Sequence, residues 1–369
     1  MVRRQECHVV IRSTVKLKLW AATLYLILGG SVPAHAYFFW SYDPETELYR
    51  RLAPTAEAIR WDQSSFPLRF RMLENDNLPA DVDITQETWT AIVRRSLDHW
   101  NGVTTAEISL ILEEATVPAS QASAGDGINT IGFSSDEQFQ DSWVTAGARW
   151  RHQTNTMMGC DIEVSPYFVK NWAPQDVERL LEVVVVHEMG HCLGLGHTEP
   201  HPMPLWTDLP VNADPSFLPD PVMSYSNSYG LDLPEDDTVG VSLLYPAPGF
   251  LESRGAIRGS VVLEGRAGAY AYLQAVRPGS PGVPVAPGPG TFAGPSGEFH
   301  LEGLSPGNWM LWIHPILVTR RNAYGRMLEL AAEADTLEFR DRLRWVRVDA
   351  GETLEGVEIT VYPGRETAS

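Results

Sequence analysis

Cysteine is scarce in this chain: three residues in 369, at positions 7, 160 and 192. None follows the amino-terminal apolar run at the place where an acylated cysteine would sit, which argues against a lipid anchor. Basic residues are also few, 28 Lys and Arg against 47 Asp and Glu, for a formal charge of −19. A chain this acidic does not hold nucleic acid or an anionic membrane by bulk charge. The apolar run Leu19 to Leu28 is too short to span a bilayer.

What precedes and follows that run gives it another meaning. Arg3, Arg4, Arg12, Lys16 and Lys18 lie before it, and Ala34-His35-Ala36 supplies small residues after it. Residues 1–36 therefore read as a signal peptide cleaved after Ala36, and the protein as secreted, to the periplasm or beyond. Cleavage removes five basic residues, one acid and Cys7. The remainder, with 44% hydrophobic and 20% charged residues in the whole chain, reads as a folded protein with room for two or three domains.

The most informative stretch is His187-Glu188-Met189-Gly190-His191-Cys192-Leu193-Gly194-Leu195-Gly196-His197. On a helix, His187 and His191 are one turn apart, so both imidazoles reach one metal ion from one face. Glu188 lies beside them, where a carboxylate can take a proton from the attacking water. Gly194 can adopt positive φ, end the helix and bring His197 round as a third ligand. Three protein ligands leave a coordination position open, the mark of a catalytic rather than a structural zinc site. A bare H-E-x-x-H also arises in helices that bind nothing; the extended eleven-residue form is far more specific.

These residues resemble the metzincin zinc proteases. Pro221-Val222-Met223-Ser224-Tyr225 looks like their Met-turn, which sets a methionine, here Met223, beneath the three histidines. Thr198 and the segment Leu233 to Tyr245 resemble the matrixin subfamily, the latter as its closing helix. Pro234, the acids behind it and the apolar Val239, Leu243 and Leu244 fit that helix physically. Asp161-Ile162-Glu163-Val164 is similar to the last sheet strand before the catalytic helix. The resemblance covers Trp61 to Pro246. It implies an α+β catalytic domain with a twisted mixed sheet, a catalytic helix, a Met-turn and a closing helix. It also implies one zinc ion held by His187, His191 and His197, Glu188 as general base, and hydrolysis of peptide bonds.

Two departures from the matrixin pattern stand out. Tyr225 comes two places after Met223 rather than one, a spacing similar to serralysins and astacins. It is a candidate oxyanion stabiliser, with an ordinary core tyrosine as the alternative. A cysteine-switch motif is absent. His152 lacks the His-x-Asp pattern of a structural zinc site, so no second metal is assigned. Calcium stays open: several loop aspartates are present, without a dedicated ligand spacing. Cys160 and Cys192, an even pair in an exported protein, read as one disulfide between strand and catalytic helix, with two buried thiols as the alternative.

Around these motifs, residues 37–60 read as an N-terminal arm and 61–246 as the protease domain. Within it, residues 66–72 alternate as a first strand. A helix follows, capped by Asp83 with Gln86 reciprocal. Another strand is read at 127–133, and 143–151 as the sheet edge that pairs with substrate. The catalytic helix begins near Pro174. His99 and His201 read as structural or surface residues.

A proline-stiffened linker, 247–254, leads to residues 255–369, where strands at 257–263, 270–276, 299–304 and 309–313 alternate between Pro/Gly turns. Gly294-Pro295-Ser296-Gly297-Glu298-Phe299, then Leu304-Ser305-Pro306-Gly307-Asn308-Trp309, resembles the carboxypeptidase regulatory-like domain, an all-β transthyretin-like sandwich. Residues 283–290 read as a surface loop and 323–334 as a short inserted helix. His300 and His314 are simply strand residues. Expected partners are proteins or peptides in extended conformation, with no nucleic acid and no membrane insertion after signal cleavage. The alternative is a non-catalytic surface-binding or adhesion protein that uses the β-sandwich; Glu188 argues against it, since a scaffold needs no general base. A chain ending near Pro246 is expected to keep zinc and cleavage.

Overall fold

The computed structural model describes residues 3–10, 39, 41–43, 48–49, 57–74, 84–118, 126–134, 144–170, 172–196, 221–223, 231–267, 271–277, 286–293, 296–315, 339 and 342–363. In chain order the first strands are β1 (Arg3–Val10), β2 (Ser41–Asp43), β3 (Leu48–Tyr49), β4 (Glu57–Ala58) and β5 (Leu68–Leu73). Helix α1 (Gln86–Asn101) follows, then β6 (Leu110–Val117), β7 (Asn129–Phe133), β8 (Val144–Gln153) and β9 (Thr156–Val164). Helices α2 (Pro166–Val169), α3 (Val177–Cys192) and α4 (Glu235–Leu244) complete this half. Strands β2 to β4 form a small sheet of their own within the expected arm.

Six strands make one mixed sheet in the order β1-β8-β9-β7-β5-β6. Strands β5, β6, β7 and β9 run parallel, while β8 runs antiparallel to β9. Alternation in β5 sends Leu68, Phe70 and Met72 into the core and leaves Arg69 exposed. The strand expected as the sheet edge is β8, and here the structure differs. In the full chain β1 pairs antiparallel with it from Arg3↔His152 to Val10↔Val144, so β1 is the outermost strand.

Helix α1 buries Trp89, Ile92, Val93, Leu97 and Trp100, a spacing of three and four residues that makes one apolar stripe. Its cap is Thr85, whose side chain accepts the Thr88 amide, rather than Asp83, which lies outside the described residues. Behind it, α3 is buried along nearly its whole length, as the run Val183 to Val186 requires. Trp100 Nε1 donates to the Val186 carbonyl at 2.9 Å. Arg95 and His99 both reach the Glu182 carboxylate, so His99 ties the two helices together.

Helix α3 stops because Gly194 takes φ +102°, and because a Cβ there would lie 2.5 Å from the Ile59 carbonyl oxygen. Two aromatic side chains seal this end. Trp61 Nε1 donates to the Cys192 carbonyl at 2.7 Å, and the Tyr245 hydroxyl donates to the Leu193 carbonyl at 2.8 Å while accepting the Trp61 amide. Cys160 of β9 and Cys192 of α3 are joined by a disulfide, with Cα atoms 5.6 Å apart.

From residue 255 onward every described element is a strand. These are β10 (Gly255–Leu263), β11 (Arg266–Ala267), β12 (Ala271–Arg277), β13 (Ala286–Phe292), β14 (Glu298–Leu304), β15 (Gly307–Pro315), β16 (Arg342–Val348) and β17 (Thr353–Val361). One four-stranded sheet has β10 paired with β11, β14 and β17; the other has the order β13-β12-β15-β16. Ile257, Val261, Leu273, Leu301, Trp309 and Ile359 from both sheets share one core.

The stretch read as a surface loop, 283–290, contributes to β13, a correction with a physical reason. Its prolines sit on an edge strand, where a missing donor costs little. Its glycines permit close packing, since a Cβ on Gly288 would meet the Trp309 ring at 2.6 Å and one on Gly290 the Tyr272 hydroxyl at 2.3 Å. The helix expected at 323–334 lies outside the described residues.

Helix α4 belongs to both cores. Val241 and Leu244 pack into the first, Val239 and the partly buried Leu243 into the second. Fully burying an aliphatic side chain contributes roughly 1.5–3 kcal/mol, so Val241 and Leu244 on one face and Val239 on the other tie α4 to both halves.

Candidate metal centre

The last two turns of α3 carry His187, Glu188 and His191, all buried. The two imidazoles stand nearly perpendicular, at 86°, with ring centroids 4.8 Å apart. His187 Nδ1 lies 2.6 Å from the Val222 carbonyl oxygen and His191 Nδ1 2.8 Å from that of Leu195. A carbonyl only accepts, so each Nδ1 carries the proton and each Nε2 carries the lone pair. That tautomer, fixed by a backbone partner, is the one a metal-ligating histidine needs. Burial pulls the His187 pKa down to about 4, with the Val222 contact opposing, so the ring is neutral, the ligand form, at ordinary pH.

Glu188 is wholly inaccessible, and neither carboxylate oxygen has a partner that meets hydrogen-bond geometry. Burial pushes its carboxyl well above the usual carboxylate range, and the Ala148 amide of β8 pulls weakly the other way. A buried carboxylate without compensation is costly. A cation beside the two Nε2 atoms supplies that compensation, so the residues present fit a divalent metal ion. Among the described residues no group of three or more metal-binding side chains assembles. The third expected ligand, His197, lies outside the described residues, as do Thr198, His201 and Tyr225.

Met223 is described, and it lies under the motif: a Cβ on Gly190 would meet its Sδ at 2.2 Å. Its turn is held from α4. Asp237 accepts the amides of Val222 at 2.6 Å and Met223 at 3.2 Å. Burial raises the Asp237 carboxyl to about 7, with those two amides lowering it. The sequence marked Asp237 only as an acid near a helix N-terminus. Its contact with the Met-turn 14 residues away, like the Val222 and Leu195 carbonyls, depends on backbone placement that residue types do not reveal. Two other histidines sit elsewhere. His152 lies in β8 with its Nδ1 against the Thr154 carbonyl, and His300 is buried in β14 beside Glu302 at 3.2 Å.

Two backbone-tethered imidazoles one turn apart, with a buried carboxylate next to the first in sequence and a methionine beneath, are the arrangement that a metal-dependent hydrolase uses. The sequence agrees. Residues 34–246, more than half of the chain, match the matrixin family, peptidase M10, and the chain belongs to that family. Human matrix metalloproteinase-20 is 40% identical over 65 residues, 18% of this chain and 11% of that protein. The chain thus matches only about a tenth of that relative's length. Among solved structures, myroilysin is 11% identical over 54% of this chain and 89% of its own, with a TM-score of 0.27. The minor pilin GBS52 of Streptococcus agalactiae is 12% identical over 32% of this chain and 49% of its own, with a TM-score of 0.20.

Proposed function

We propose that the chain is a secreted zinc-dependent endopeptidase. One observation carries the reading: a fully buried Glu188 with neither oxygen satisfied, beside two histidines whose Nδ1 protons are given to carbonyls. His187, His191 and His197 would hold one zinc ion. Bound zinc supplies an electrophile for the scissile carbonyl and lowers the pKa of the attacking water to about 7. Glu188 takes a proton from that water and passes it to the leaving amine. Val222 and Leu195 hold the two rings in one orientation. Tyr225 is the candidate to steady the oxyanion.

The substrate in this reading is an extended polypeptide that adds to the outer edge of β8. Support comes from the chain itself, since that edge accepts residues 3–10 as an antiparallel strand. Removal of residues 1–36 after Ala36 would vacate it. Among the described residues no helix is long and apolar enough to cross a membrane. We assign residues 37–60 as an arm, 61–246 as the protease domain and 247–254 as a linker. Residues 255–369 form the second domain, for which the carboxypeptidase regulatory-like β-sandwich is the proposed type.

The test is Glu188→Gln in the mature chain, with zinc content and cleavage of an unfolded protein measured together. Zinc should stay bound while turnover falls at least about a hundredfold. A variant that cleaves as fast as wild type would overturn the mechanism.

A further inference from the structure

Three consecutive acids open α4, and each faces a different part of the molecule. Glu235 is bound wholly from the C-terminal side. Its Oε1 accepts from Ser305 Oγ at 2.7 Å and Arg254 Nη1 at 3.2 Å, and its Oε2 from Arg277 Nε at 3.3 Å. Arg277 is itself fixed, its guanidinium stacked 4.3 Å above the Trp309 ring. Asp236 is 1% exposed and its Oδ2 has no partner; burial and the adjacent Asp237 push its carboxyl up, and the Gly290 backbone of β13 pulls it the other way. Asp237 turns the other way and holds the amides of Val222 and Met223. Val222 in turn accepts from His187, and Met223 packs against Gly190.

Adjacent residues on one helical turn cannot shift independently. We propose that Glu235 and Asp236 are positioning residues, through which the C-terminal sheets fix the Met-turn beneath the metal centre. The C-terminal region is then part of the protease, not an appended module. This reverses the expectation that a chain ending near Pro246 keeps its site intact. Such a chain loses Arg254, Arg277, Ser305 and Gly290 together, strands two carboxylates and uncovers Val239. The inference rests on the proposed zinc reading for its link to catalysis, but its geometry does not depend on turnover.

The experiment uses the full mature chain and compares Glu235→Ala with Glu355→Ala. The latter removes an exposed pair with Arg258 in the same C-terminal sheets. Amide hydrogen exchange at Val222 and Met223, zinc release to a competing chelator, and the split between kcat and KM are measured. For E235A, exchange at both amides should speed at least about tenfold, and zinc affinity should fall about 10- to 100-fold, as for other lost outer-shell contacts. The loss should fall on kcat more than on KM, and E355A should match wild type throughout. If E235A does not fold, Ser305→Ala, which removes the hydroxyl's bonds to Glu235 and Arg277 but no charge, should show smaller changes in the same direction. A folded E235A or S305A with wild-type exchange and wild-type zinc release overturns the proposal. Should wild type bind zinc but cleave nothing, the protease reading fails while exchange and zinc release still decide this one.

Discussion

The sulfur of Met223 occupies the space that a side chain on Gly190 would need, 2.2 Å from where its Cβ would be. The Trp100 ring closes the same space from another side at 3.0 Å. The helix that carries both histidines therefore touches the Met-turn directly, through a glycine lying between them in sequence.

Gly190→Ala should accordingly be destabilising although alanine is the better helix former. Helix propensity favours alanine by about 1 kcal/mol, while forcing a methyl group into a packed core costs about 1–3 kcal/mol. Met223 is 1% exposed and has little room to retreat. Denaturant unfolding should show a net loss of up to roughly 2 kcal/mol, with weaker zinc retention. Unchanged or higher stability would mean the thioether moves aside freely.

Much of the site was legible because its chemistry and its geometry share one spacing. His187, Glu188, His191 and Gly194 announce the helix, its buried polar face and its stop within eight residues. Strand β5 and helix α1 were legible for a similar reason, since burial imposes a period of two or of three to four residues. Strand β13 was not legible, because its prolines and glycines read as a loop until Trp309 and Tyr272 pack against them. The partners of Glu235, Asp236 and Asp237 were hidden too. Their acidity fits a helix N-terminus equally well, and only tertiary placement separates three contacts with three destinations. Trp61 and Tyr245 meet across 184 residues, a distance over which sequence pattern carries no information.

Tyr245→Phe tests that long-range seal. The hydroxyl is buried, and it joins the Leu193 carbonyl to the Trp61 amide. Burial also pushes the phenol above its ordinary pKa, so it remains a donor at any working pH. Phenylalanine keeps the edge-on contact with Phe66 but leaves a buried amide and a buried carbonyl unpaired. The expected loss is about 1–3 kcal/mol, read as a shift in the unfolding midpoint. No shift would show that water or a neighbour replaces the hydroxyl.

The Cys160–Cys192 bridge closes a loop of 32 residues and anchors the residue after His191. On the chain-entropy account, a loop of this length gives about 3–4 kcal/mol of stability. Cys160→Ser with Cys192→Ser should therefore lower unfolding stability by roughly that amount, and reductant should no longer affect the doubly substituted protein. Equal stability of the oxidised wild type and the variant would show that the bridge contributes packing only.

Asp161 gives a prediction about pH, and its sign follows from burial. It is 3% exposed in β9, and burial raises its carboxyl to about 6 from an ordinary 3.8, with Thr130 lowering it and Asp126 and Glu163 raising it. The native protein therefore keeps this proton between about pH 4 and 6 while the unfolded chain releases it. Stability from this group is fully present below the unfolded pKa and is lost as pH rises through about 6. Asp161→Asn keeps an oxygen to accept the Thr130 amide and hydroxyl, now at 2.9 and 2.7 Å, and abolishes the titration. The two proteins should be similarly stable at low pH. Above pH 7 the variant should be the more stable, by at most roughly 3 kcal/mol. Chemical denaturation at several pH values measures this directly. A variant less stable than wild type above pH 7 would mean that Thr130 stabilises ionised Asp161 by more than burial penalises it.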